Sequence, residues 1–424
     1  MKKRYLIISL CAAISIVFSG CTFSPQTQES QVQSSAVESE ESIQESSSDQ
    51  LSAEVSEEVS EKSEVQEVSV PKKLVPGKED IARIEDFDKK YFVNKLSDEM
   101  KYHFVKLYLA AESFEKSVSF DAPVTDDELM QLMYLLNYDC PELIHVGGDF
   151  SSQYNPDGTV ASVFFTYVMK KEEYSDAVKK LDTIKKILKE KTEGKTEYET
   201  EKIVYDYIFS DCVYDESNKG AGSVYGTLVN KVSRCEGYCK SFSWCLRNLG
   251  FECFSIVGNP GWDSTAAVYP LHSWNIVKID DEYYNVDITL DNVPKSKNTV
   301  TVPNYAFFNA PDNMIYSDRS LEKVFEDLGV PECKSTKYNY HIMNGLYFAK
   351  GEYSAEKFEG ILDKYCTADA IAPISLKFED SEDYAKASEK IQANVKNYLI
   401  NKNYNLRYST VVDGQSKTIL IYSD

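Results

Sequence analysis

The chain has 424 residues, with 46 Lys and Arg against 68 Asp and Glu and a formal net charge of −22. So acidic a chain repels phosphate backbones, and it carries no basic stripe interleaved with aromatics, which argues against a nucleic-acid partner. Four His, no HExxH and no paired CxxC motifs argue against a zinc enzyme, and no DxDxDG loop points to calcium, so no cofactor is expected. Gly194-Lys195-Thr196 is not a P-loop, because Lys189 stands where the first glycine is required.

At the N-terminus, Lys2, Lys3 and Arg4 precede an apolar run from Tyr5 to Phe18, followed by Ser19-Gly20-Cys21. The run is shorter than the ~20 residues that span a bilayer and ends in small residues, the pattern of a cleaved signal peptide over 1–20. Phe18-Ser19-Gly20-Cys21 resembles the bacterial lipobox, which usually has Leu where Phe18 stands and whose Cys takes a diacylglyceryl chain. The resemblance implies lipidation at Cys21 and a protein anchored at the extracellular face of the bacterial cell membrane. Residues 22–70 carry 12 Asp or Glu, one Lys and no aromatic after Phe23. Such a stretch buries too little apolar surface to offset its ordering entropy, so 21–75 reads as a disordered, self-repelling stalk that gives reach.

The pattern then mixes. Helical spacing runs over 102–114 and 126–136, a turn at Asn155-Pro156-Asp157-Gly158 joins two strand-like runs into a hairpin, and a long helix carries Ala177, Leu181, Ile184 and Leu188 on one face. Residues 76–196 read as an accessory α/β module. Over 197–335 come a helix at 201–209, a helix at 234–249 stopped by Gly250, a strand at 251–257, and strands at 272–279 and 282–289 joined by Asp280-Asp281. Residues 336–424 alternate strand and helix before two final strands, an α+β domain whose expected role is packing or partner binding. Eight Cys remain after position 21, mostly in apolar contexts that suit buried free thiols, although an even count leaves pairing open.

The chemistry centres on Arg234-Cys235-Glu236-Gly237-Tyr238-Cys239. A Cys at a helix N-terminus gains thiolate character from the unsatisfied N–H groups and the macrodipole, and Gly237 is expected to leave the sulfur open to substrate. His272 is the only His over 197–335. With Asp280-Asp281 as a two-residue loop, position 272 pairs with 289, so Asp287 is a same-face diagonal neighbour of His272 at roughly 7 to 8 Å between backbones. A nucleophile, a base and an orienting carboxylate thus follow in chain order.

These residues resemble the transglutaminase-like branch of the papain-type thiol enzymes. The match lies in Tyr225-Gly226-Thr227-Leu228, Cys235-Glu236-Gly237-Tyr238-Cys239, His272-Ser273-Trp274-Asn275 and Tyr284-Asn285-Val286-Asp287-Ile288-Thr289. The family commonly has Ala at the place of Cys239 and Pro at that of Ile288. The resemblance implies an α+β core in which a helix bearing Cys235 packs on an antiparallel sheet bearing His272 and Asp287. It also implies acyl transfer to an amine, or hydrolysis, through a thioester. Tyr225 either borders the cleft and its oxyanion site or simply packs; Trp274 either shields the His–Asp pair or is plain core; residues 258–270 read as a loop shaping the groove. Cys239 sets a second thiol near the first and favours local oxidation. The substrate expected is an amide of extracellular protein or wall peptide. The alternative is a non-catalytic surface binding or assembly protein that keeps the fold as scaffold, with Cys235 buried or oxidised.

Overall fold

The computed structural model describes residues 74–215, 217–261, 271–292, 302–317 and 319–423. The expected signal peptide, the lipidation site Cys21, the stalk as far as residue 73 and the 262–270 part of the expected loop lie outside them.

In chain order the first elements are α1 (Lys78–Ile81), α2 (Asp98–Glu112), β1 (Ser117–Val124), α3 (Asp126–Tyr138), β2 (Val146–Tyr154), β3 (Val160–Tyr167) and α4 (Lys171–Thr192). Next come α5 (Glu197–Asp211), β4 (Val213–Tyr214), α6 (Val224–Leu228), β5 (Val232–Ser233), α7 (Cys235–Asn248), β6 (Cys253–Pro260), β7 (His272–Ile279) and β8 (Glu282–Val286). They lead into α8 (Thr289–Asn292), α9 (Asp312–Ile315), β9 (Arg319–Leu321) and α10 (Lys323–Leu328). The last elements are α11 (Tyr340–Asn344), β10 (Tyr347–Phe348), α12 (Ala355–Tyr365), β11 (Ile374–Phe378), α13 (Ser381–Lys402), β12 (Tyr408–Asp413) and β13 (Thr418–Ser423). Helix starts are set by local chemistry. Ser97, Thr125 and Thr196 each accept the N3 backbone N–H, and Glu128 and Glu199 complete capping boxes.

The fold is α+β. Its central sheet is antiparallel in the order β8-β7-β6-β9. One set of its side chains, including Val277, Ile279, Tyr284 and Val286, shares a core with Tyr205, Ile208, Phe242 and Leu246 of α5 and α7. The alternate set, including Phe254, Ile256, Trp274 and Ile276, shares another core with Phe104, Tyr108, Leu132 and Leu135 of α2 and α3. A sheet covered on both faces loses its polar alternation, which is why β6 and β7 are buried almost throughout. A third core lies among β10, β11, β13, α12 and α13.

Three differences from the sequence-based reading have physical causes. β1 joins β3 and β2 as an edge strand that has Asp121 and Pro123 in it and buries only Val118 and Val124, so it lacks the apolar run of a central strand. β6 continues to Pro260, so residues 258–260 of the expected loop are strand, held by β9, which seats Ser320 against Asn259. The strand expected to reach Thr289 ends at Val286, because the Asp287 carboxylate accepts the Thr289 N–H at 3.1 Å and turns the chain into α8. All eight cysteines among the described residues are buried and free.

One buried carboxyl bears on stability. Glu201 of α5 accepts a hydrogen bond from Asn309 Nδ2 at 2.7 Å on one oxygen, while the other has no partner. Burial outweighs that hydrogen bond and pushes its pKa from 4.5 to about 8. The unfolded chain therefore ionises first, and stability falls as pH rises through the interval between those values. Glu201→Gln is expected to melt above wild type at pH 8, with the gap closing at pH 5; equal differences at both pH values in thermal melts would contradict this.

Candidate active site

Cys235 is the first residue of α7, in which twelve of the 14 residues are buried, and it is itself only 3% exposed. Its helix is pinned at the first turn. A Cβ on Gly237 would lie 2.0 Å from the Ala221 carbonyl oxygen, 2.6 Å from Ser233 Oγ and 2.7 Å from Thr227 Oγ1. The glycine therefore admits the 221–227 segment onto the helix; the close backbone contact, not the open substrate path expected from the sequence, is what demands it.

Burying α7 also buries its charges. Glu236 accepts from Arg234 at 2.5 Å, from Lys240 at 3.1 Å and from Asn137 Nδ2 of α3 at 2.9 Å, and Lys240 in turn donates to Asn137 Oδ1 at 2.9 Å. Burial alone would raise the Glu236 carboxyl, but the two cations and the amide outweigh it and bring it down to about 2. The cluster is one anion with two cations, so its net positive charge lies next to the thiol.

The structure brings His272 and Asp287 together. The β7–β8 ladder runs from Ile279↔Glu282 to Asn275↔Val286, and Asp280 and Asp281 take left-handed φ of 47° and 66°, as a tight two-residue hairpin requires. His272 Nε2 lies 2.7 Å from Asp287 Oδ2. His272 also makes a side-chain hydrogen bond with Cys235. Burial on its own disfavours the imidazolium, but Asp287 and Cys235 outweigh it and raise the His272 pKa to about 9. For Asp287, burial raises the carboxyl, while His272 and Arg319 together bring it down to about 2.

Trp274 is buried in the core shared with α2 and α3, lies with its ring centroid 6.3 Å from that of His272 and donates Nε1–H to Asn285 Oδ1 at 3.2 Å. Tyr225 sits on α6 with its hydroxyl engaged by Lys180 of α4 at 3.1 Å. Cys239 donates its thiol to the Trp274 carbonyl at 3.0 Å, and burial raises its pKa well above that of an ordinary thiol. It is held as a structural hydrogen-bond donor, and it forms no disulfide with Cys235. Arg319 of β9, which the sequence reading missed, donates NH1 to Asp287 Oδ2 at 2.6 Å. No motif flags it; the only cue is a basic residue in a short strand-like run beyond Asp287. Chemically, the arrangement offers a thiol at a helix N-terminus, an imidazole hydrogen-bonded to it, and a fixed carboxylate behind the imidazole.

Residues 184–288 match the transglutaminase-like superfamily, so a quarter of the chain is a transglutaminase-like domain. No curated protein matches the chain. Among solved structures, it is similar to one described as a TGase, at 13% identity, 43% coverage of this chain and TM-score 0.25. It is also similar to a Cytophaga hutchinsonii protein assigned as a cysteine protease, at 10% identity, 33% coverage and TM-score 0.23. A third, from Parabacteroides distasonis and assigned as a protease, gives 15% identity, 32% coverage and TM-score 0.20. The chain spans 52%, 61% and 33% of the lengths of these three.

Because the contacts around Gly237 are to backbone and short side chains that cannot swing away, Gly237→Ala is expected to cost about 3 kcal/mol of stability. Chemical denaturation of both proteins measures it, and a loss within error of zero would refute the packing account.

Proposed function

We propose that the transglutaminase-like domain is a thiol enzyme in which Cys235 attacks an amide carbonyl, His272 shuttles the proton and Asp287 orients His272. The observation that carries this reading is the hydrogen-bonded series from Cys235 through His272 to Asp287, with the thiol at the start of a 14-residue helix. In the resting state the thiol proton resides on His272, giving a thiolate and an imidazolium. Attack forms a C–S bond and an oxyanion facing the N-terminal N–H groups of α7. His272 then protonates the departing amine, leaving a thioester. Water, or a second amine, gives up a proton to His272 and releases the acyl group, which makes the reaction hydrolysis or transfer.

The substrate class follows from the N-terminal pattern. A signal peptide with Cys21 as lipid-bearing residue and a self-repelling stalk suits amides of extracellular protein or cell-wall peptide, presented to a protein held at the extracellular face of the membrane. Cys21→Ala is expected to move the protein out of the membrane fraction; unchanged fractionation would sink the anchor.

A second reading, a non-catalytic surface scaffold, is favoured by one observation, the 3% exposure of Cys235. Intact-mass analysis separates the two, using wild type and Cys235→Ala incubated with a glutamine-type amide probe and a primary amine. The enzyme reading expects an adduct or amine-coupled product in wild type only. Its rate should fall as pH rises through about 9, where His272 loses its proton. Absence of any product, with Cys235 shown to be reduced, supports the scaffold.

A further inference from the structure

Asp287 serves two cations, not one. His272 Nε2 and Arg319 NH1 meet the same carboxylate oxygen, Oδ2, at 2.7 and 2.6 Å, while Oδ1 accepts the Thr289 N–H. The side chains of His272, Asp287 and Arg319 are all within 1% of full burial. Arg319 is held firmly. Its strand pairs with the edge of β6, placing Arg319 opposite Pro260, and a Cβ on Gly258 would come within 2.0 Å of the Ser320 carbonyl oxygen. Its guanidinium lies over the rings of Trp274 and Phe307, at 5.3 and 4.9 Å.

The charge balance gives this contact a purpose. A thiolate, an imidazolium and a carboxylate sum to one net negative charge in a site sealed from water. A buried net charge is costly, and without compensation the cheapest relief is to keep the thiol protonated. Arg319, which does not deprotonate in proteins, brings the sum to zero both for the thiolate–imidazolium form and for the neutral thiol–imidazole form. We infer that Arg319 is a positioning residue of the thiol site, fixing the Asp287 carboxylate and supplying the fourth charge that lets a thiolate form at Cys235 while Asp287 and the imidazolium stay charged. The inference rests on the thiol-enzyme reading. The other groups that bear on this balance are Cys239 from α7, Tyr138 of α3, Tyr316 ahead of β9, Lys377 of β11, whose ammonium lies 4.3 Å from the Phe307 ring centroid, and the Arg234–Glu236–Lys240 cluster, which adds one positive charge at the Cys235 end while the charged partners of Asp287 are His272 and Arg319.

The test is the pH dependence of Cys235 alkylation in the full-length protein. It is read by mass spectrometry of the Cys235 peptide, so that the other thiols do not contribute, for wild type, Arg319→Gln and Arg319→Lys. Loss of the charge is expected to move the alkylation midpoint up by about one pH unit or more, slowing labelling about tenfold at pH 6, with Lys restoring the wild-type profile to within about threefold. In parallel, the His272 NMR titration is expected to shift upward in Arg319→Gln, because Asp287 then serves His272 alone. A folded Arg319→Gln with both profiles unchanged overturns the inference. If Arg319→Gln does not fold, Arg319→Lys decides: a wild-type midpoint supports the charge argument and a raised one overturns it. A wild-type Cys235 that labels like an ordinary buried thiol defeats the enzyme reading separately, and the His272 titration still reports on Arg319.

Discussion

A helix that carries Glu236, Lys240 and Arg247 cannot be buried unless each charge finds its partner inside the protein, since an unpaired buried ion costs several kcal/mol. That constraint organises the structure around α7. Glu236 draws in Arg234 and Lys240 from its own segment, but the cluster is completed by Asn137 of α3. At the other end of α7, Arg247 pairs with Asp139 at 2.6 Å and also donates to its backbone carbonyl. Residues on the far side of position 196 therefore complete the electrostatics of the helix that bears the thiol. The aromatic and aliphatic core shared by α2, α3 and the central sheet seals the same arrangement.

The sheet solves a complementary problem. It must hold an ionised carboxylate away from water without letting it wander. The Asp287 backbone N–H is tied to the Phe307 carbonyl at 3.2 Å, one carboxylate oxygen turns the chain at Thr289, and the other receives both cations. Phe307 has Arg319 over its ring at 4.9 Å and Lys377 over it at 4.3 Å, so the C-terminal part of the chain, through β11, packs within one aromatic ring of the groups that set the charge at His272. The result is a set of fixed charges held in place by the fold without help from water.

What the sequence disclosed and what it hid divide along physical lines. The α7 helix was legible because Tyr238, Phe242, Cys245 and Leu246 repeat at helical spacing and Gly250, with φ 95°, ends it. The meeting of His272 and Asp287 was legible because a two-residue turn converts counting along the chain into position across a hairpin. Arg319 and Asn137 were not, since each reaches the site from an element whose placement depends on tertiary packing; β9 has only three residues and no periodicity to read. The role of Gly237 was misread for a related reason: the Ala221 carbonyl that demands it is remote in sequence and becomes a neighbour only once the chain has folded. The burial of Cys235 likewise comes from the packing of segments that no local pattern connects.

The hairpin turn itself has a consequence for how this domain tolerates change in length. Asp280 and Asp281 are exposed and polar, and they follow a strand whose seven steps from His272 to Ile279 span roughly 23 Å. By the usual expectation that surface loops absorb insertions, they are a permissive place. Here they act as a ruler. A one-residue slip of β8 against β7 would, because side chains alternate with period two, carry the carboxylate at 287 to the opposite side of the sheet from the imidazole at 272. A change in length at this turn is therefore tolerated only where the Ile279↔Glu282 register survives it, since that register holds the His–Asp contact in place.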